Sequence, residues 1–119
     1  MLKVAQKFSF LNYKGRGFVI AVAKSKMELI SEGEALHHCV GRMEYDQRQI
    51  DEKSCICFLR KIGQEKKPYV TIEFDLRNRK ILQKYAINNS TPDADAIEFL
   101  ENNWLPHVKK MWKKAVAIG

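Results

Sequence analysis

Residues 54–88 read SCICFLRKIGQEKKPYVTIEFDLRNRKILQKYAIN, and this stretch decides the fold. Ser54–Lys61 puts Cys55, Cys57 and Leu59 on one side and Ile56 and Phe58 on the other. Strand side chains alternate between faces, so a segment that is apolar on both sides reads as a central strand. Tyr69–Asp75 alternates more cleanly: Val70, Ile72 and Phe74 point inward, Thr71 and Glu73 outward. Lys80–Asn88 is a third strand after the turn Arg77-Asn78-Arg79. The charged loop Ile62–Pro68 joins the first two. Short connections between sequential strands give an antiparallel meander.

Upstream, Phe8–Tyr13 alternates weakly, Lys14-Gly15-Arg16-Gly17 signals a turn, and Phe18–Ala23 is an apolar run of strand length. Together they predict a β-hairpin. Ser25–Glu28 and Ser31–Glu34 both have the S-x-x-E form of a capping box, which predicts two short helices over 26–32 and 33–41, with Gly41 ending the second. Residues 44–52 are polar and suit a third short helix or a loop. Downstream, Thr91 is placed as an N-cap with Pro92 as first helical residue and Asp93 and Asp95 near the dipole. Ile97, Leu100, Glu101 and Trp104 follow at helical spacing. Pro106 should kink or restart the helix, after which Val108, Met111, Trp112 and Ala115 form an apolar stripe. The fold expected is α+β: an antiparallel sheet of about five strands, short helices after the first hairpin, and a C-terminal helical segment packed on the sheet. A chain of 119 residues has room for one such domain, residues 1–119.

Composition narrows the function classes. Hydrophobic residues make up 45% and charged residues 29%, a globular balance. No apolar run approaches the ~20 residues of a membrane helix. Met1–Lys7 lacks the apolar core of a signal peptide, and three cysteines suit a reducing compartment, so a cytoplasmic location is expected. The net charge of +7 is arranged in blocks. Residues 1–27, 53–84 and 103–119 are basic, whereas 28–52 and 85–102 are acidic. If folding merges the basic blocks, the resulting face would attract phosphate backbones or an acidic protein. The residues expected to carry such binding are Lys14, Arg16, Arg77, Arg79, Lys80, Lys109, Lys110, Lys113 and Lys114. The bland alternative is a solvated lysine-rich surface.

Leu36-His37-His38-Cys39-Val40-Gly41 is the most unusual polar stretch. Three readings are open. Cys39 could be a thiol nucleophile activated by His37 or His38, with Gln83, Asn88 or Asn89 as oxyanion donors. Cys39, one histidine and the Cys55-x-Cys57 pair could hold a metal, although C-x-C within a strand is not the usual zinc spacing. Alternatively, the three thiols are small core groups and one histidine ties helix to sheet. Tyr45, Gln83 and Asn88 are candidates for a pocket near His38. The ordinary role of Tyr45 would be a surface aromatic, and that of Asn88 a turn residue. No resident cofactor or metal is expected, because no dinucleotide, P-loop or H-E-x-x-H pattern is present.

Several of these residues carry a resemblance. Glu32 to Gly41 with its His38-Cys39-Val40 core, then Tyr45, Phe58-Leu59-Arg60, Pro68 to Glu73, Gln83 followed by Asn88, and a helix ending near Trp104 resemble the PcfJ-like family. The chain departs from the family pattern in being shorter and in having Lys84-Tyr85-Ala86-Ile87 where a glycine usually stands between the Gln and Asn positions. The resemblance implies an origin in conjugative plasmids or phages of a bacterial host and an association with DNA-transfer machinery. It carries over no catalytic residues. The functions to be weighed are therefore a non-catalytic module binding nucleic acid or a nucleoprotein, a phage-encoded inhibitor of a host defence nuclease (an anti-CRISPR-like protein binder), and a Cys/His enzyme.

Overall fold

The computed structural model describes residues 1–41 and 43–118. Five strands form one antiparallel sheet in chain order: β1 (Tyr13–Gly15), β2 (Phe18–Val22), β3 (Ser54–Lys61), β4 (Val70–Asp75) and β5 (Lys80–Tyr85). β3 is central, as its two apolar faces predict. It pairs with β2 through Ile20 opposite Leu59 and with β4 through Cys57 opposite Ile72. A bulge between Glu73 and Phe74 shifts the register against β5, where Gln83 faces Glu73 and Ile81 faces Phe74. Leu82, the extra residue, is exposed.

The first hairpin is shorter and later than its sequence suggests. Residues Ser9–Leu11 form a 3-10 turn rather than a strand, and the turn residues are Arg16 and Gly17, both at positive φ. Two left-handed central residues match the twist of a two-residue hairpin turn. The preceding stretch, which the sequence left unassigned, is a short helix, α1 (Leu2–Lys7). Val4 and Ala5 anchor it in the core.

One face of the sheet carries the main core. Ile20, Val22, Cys55, Cys57, Leu59, Val70, Ile72 and Phe74 are buried there against the C-terminal helices. These are α4 (Ala94–Phe99), a π turn over Leu100–Trp104, and α5 (Leu105–Ile118). The helical start moves from the expected Thr91 cap to Asp93. Pro106 does not restart the helix, which runs on without a break, and the π turn is how. Proline removes one helical N–H and its ring crowds the carbonyl four residues back, which the wider turn accommodates. Trp104 is fully buried, meets Phe74 edge-on at 5.2 Å, and donates its indole N–H to Leu11 O at 2.7 Å. His107 donates to Phe10 O at 2.9 Å. These two bonds tie the chain's first segment to its last helix.

The opposite face is covered too, by α2 (Lys26–Leu36) and α3 (Tyr45–Ile50). Thr71 and Glu73, expected to point to solvent, do face away from the main core but are buried beneath this cover. Ala23, Leu29, Val40, Ile56 and Phe58 form a second apolar cluster there. α2 is one helix where two were expected. Ser25 Oγ accepts the N–H of Glu28, and the Glu28 carboxylate reaches back to the N–H of Lys24, so the first capping box is real. The second box lies inside the helix. Its predicted end at Gly41 is replaced by His37, which adopts the left-handed conformation (φ 54°) and closes the helix. The last strand likewise stops at Tyr85. Ile87–Asn89 form a 3-10 turn, with Asn88 and Asn89 both at positive φ.

Candidate functional site

The segment after α2 crosses the covered face of the sheet, and two glycines hold it close. A Cβ on Gly33 would stand 2.9 Å from His38 O, and one on Gly41 would stand 2.7 Å from Ile30 Cα. Both contacts are with backbone, so neither position has room for a side chain. Held this way, His38 rests over β4.

His38 Nε2 lies 2.9 Å from Thr71 Oγ1, and the Thr71 hydroxyl donates to Glu32 Oε2 at 2.9 Å. Because the hydroxyl hydrogen is used on the carboxylate, His38 must be the donor to Thr71, which places its proton on Nε2. Nδ1 then accepts the N–H of Val40 in a longer contact of 3.4 Å. Arg60 completes the chain by gripping both Glu32 oxygens. Burial depresses the pKa of His38 below the ordinary imidazole value, opposed by the ring's interaction with its own backbone and by the charge of Glu32.

This sets a pH dependence. The unfolded imidazole titrates near about 6.5, the native one lower, so below that value the unfolded chain binds more protons. Stability should fall as pH drops from about 7, levelling once the native pKa is passed. His38→Gln keeps a donor for Thr71 and should flatten that arm of a stability-against-pH curve from urea titrations. An unchanged arm would contradict the assignment.

A second polar group lies alongside. Glu73 accepts from Arg48 Nη1 at 3.0 Å, Ser54 Oγ at 2.7 Å and Gln83 Nε2 at 2.9 Å. Its carboxylate is therefore buried but paired. Next to both networks are two adjoining hollows. The larger, about 710 Å³, is lined by His37, His38, Cys39, Glu34 and Asn89 with the two glycines. The smaller, about 130 Å³, lies between His38, Tyr45, Ile56, Gln83, Tyr85 and Asn89. Tyr45, Gln83 and His38 are thus brought together as expected; Asn88 is not among the lining residues, and its neighbour Asn89 is.

Cys39 is exposed and borders both hollows, so it is no core thiol. Cys55 and Cys57 are buried on the other side of the sheet, with their sulfurs 3.9 Å apart. Their mutual hydrogen bond, together with burial, pushes the Cys55 thiol pKa up. The sheet itself separates them from Cys39, so the C-x-C pair and Cys39 cannot share a metal. Among the described residues no group of three potential metal ligands is brought together. Both nitrogens of His38 are committed to protein partners, and among the described residues no hydrogen bond joins Cys39 to either imidazole.

The basic residues divide between the two ends of the sheet. Lys14 and Arg16 sit at the β1–β2 end, where Arg16 shares a groove with the acidic side chains Asp95 and Glu98. Arg77, Arg79 and Lys80 are at the opposite end, in the exposed β4–β5 turn. Asp75 shapes that turn by accepting the N–H groups of Arg77 and Asn78. The Arg79 guanidinium lies 4.7 Å over the Trp112 ring, which brings the turn against α5. Lys109 and Lys113, one helical turn apart, lie on one side of Trp112; Lys110 and Lys114 lie further round the helix. All four lysines are exposed and α5 contains no acidic residue.

Sequence reasoning did not single out Glu32, Arg60, Thr71 or Glu73 as site residues; Asn89 it named only as a donor for a Cys39 nucleophile. The signal for the buried carboxylate on β4 was present: if β3 is apolar on both sides, both sides are covered, and Glu73 on the neighbouring strand must be covered as well.

The family model described as "PcfJ-like protein" matches residues 2–100. An uncharacterized protein of Listeria innocua serovar 6a, Lin1253/Lin1744, is 34% identical over 96 residues, covering 81% of this chain and 20% of that protein. The chain therefore spans about a fifth of that relative's length. No solved structure matches. Among the described residues no helix is long and apolar enough to cross a membrane.

Proposed function

Since this chain belongs to the PcfJ-like protein family, we propose that it is a small basic module of a bacterial mobile element that binds a nucleic acid or nucleoprotein through phosphate contacts, in the host cytoplasm and without catalysis. The observation that carries this reading is the Arg79–Trp112 stack at 4.7 Å. It joins two basic segments that lie about 30 residues apart in the chain, so Arg79 meets the helix that carries Lys109 and Lys113. Several cations on one face, with no carboxylate on the helix between them, suit a polyanion better than a scattered lysine surface does.

The test is a fluorescence-anisotropy titration with single-stranded DNA, duplex DNA and RNA at about 50 and 200 mM salt. Four phosphate contacts on a duplex would weaken binding about a hundredfold between those salt concentrations. No binding to any of the three at the lower salt would overturn the reading. The weight would then pass to the inhibitor reading, an anti-CRISPR-like binder of a host nuclease. That reading draws on the exposed acidic face of Asp95, Glu98 and Glu101, which could occupy a basic groove.

A further inference from the structure

The smaller hollow on the covered face has features that the phosphate contacts leave unused. It opens beside β5, an edge strand of the sheet, and carries two tyrosine rings, Tyr45 and Tyr85, at its sides and Ile56 among its lining. At about 130 Å³ it is close to the volume of a cavity that admits benzene, about 150 Å³. That suits one six-membered ring better than a fused pair. Its polar groups are directional. Gln83 donates its Nε2 to Glu73, which turns the amide oxygen into the acceptor left for an occupant. Glu73 is buried but compensated by Arg48 at 3.0 Å, so the site does not call for a cation. Asn89 at the rim offers both a donor and an acceptor. A neutral six-membered ring whose edge offers both an N–H donor and a carbonyl acceptor fits this set. Lys80 lies on the same edge strand, opposite Asp75 and on the Glu73 side of the sheet, where the backbone of an extended chain would carry its charges.

We propose that this hollow, bounded by Tyr45, Gln83, Tyr85 and Asn89, takes a single pyrimidine base of a single-stranded nucleic acid running along β5. The proposal rests on the polyanion reading above and gives it a substrate class. Unstacked bases of single strands are recognised in this way, by stacking on aromatic rings and by hydrogen bonds to their edges.

The whole protein, isotopically labelled, is titrated by NMR with cytidine and separately with adenosine. The expected result is a saturable shift of the Gln83 side-chain amide and of Tyr85 with cytidine at millimolar concentration, and none with adenosine. In anisotropy, Gln83→Leu should weaken a pyrimidine oligonucleotide about tenfold, the value of one good base-edge contact, and leave duplex binding unchanged. Tyr85→Ala, which removes an exposed ring without touching the Glu73 network, should do the same and guards against a folding artefact in the first variant. Equal shifts with adenosine, or unchanged affinity in both variants, would overturn the proposal. Oligonucleotide binding without any cytidine shift would also overturn it and leave the phosphate reading standing. Cytidine binding without oligonucleotide binding would overturn both the strand along β5 and the phosphate reading.

Discussion

Arg60→Met is expected to lower the stability of the protein by about 3–5 kcal/mol, read as a shift of the urea midpoint at constant slope. The Glu32 carboxylate is only 2% exposed and the Arg60 guanidinium 14%, and both carboxylate oxygens are gripped. Removing the cation leaves a buried charge with the Thr71 hydroxyl as its remaining partner. Such a charge is far more costly alone than the pair was worth. The double variant Glu32→Leu/Arg60→Met removes both charges and should recover much of the loss. A drop below about 1 kcal/mol for Arg60→Met would mean that water reaches Glu32, contrary to the burial described. The pair also ties α2 to β3, so its loss should loosen the His38–Gly41 segment first.

The second large effect concerns the other face. Trp104→Ala is expected to cost about 3–5 kcal/mol, because it empties the centre of the main core. Trp104→Phe separates two contributions. It keeps an aromatic ring against Phe74 but leaves the buried Leu11 carbonyl without its 2.7 Å donor, for about 1–3 kcal/mol. Equal midpoints for the phenylalanine variant and the wild type would show that the indole N–H bond adds nothing. The alanine variant also removes one of the two bonds between the first segment of the chain and its last helix, so a loss of helical signal should accompany the drop.

The sheet was legible because its signals are local. Two-sided apolarity marks β3 as central, alternation marks β4, and turn residues separate them. The C-terminal helix was legible from spacing, but Pro106 is absorbed by a π turn rather than breaking it. What escaped depended on contacts distant in sequence. His37 ends α2 in a left-handed conformation that a glycine would be expected to supply, and only the close approach of Gly33 and Gly41 to the crossing chain explains why the helix stops there. Thr71 and Glu73 look solvent-facing from strand alternation alone, because the helix and loop covering them lie some 25–40 residues upstream. The candidate site was half legible. His38, Tyr45 and Gln83 do meet, whereas Asn88 gives way to Asn89 through two consecutive left-handed residues that no propensity distinguishes. The basic residues were all exposed as read, but nothing in their order showed that Arg79 would stack on Trp112 while Arg16 lay beside Asp95 and Glu98.

The division of the basic residues between two ends of the sheet gives the most direct test of the functional account. Two charge-reversed proteins, Lys109→Glu/Lys113→Glu and Lys14→Glu/Arg16→Glu, are compared by anisotropy on the same nucleic acid across a salt series. The account predicts that the first loses at least about tenfold in affinity and flattens the salt dependence by about two units of slope, while the second stays within about twofold of wild type. Equal losses in both, or a loss confined to the hairpin variant, would contradict a binding face built where the β4–β5 turn meets α5.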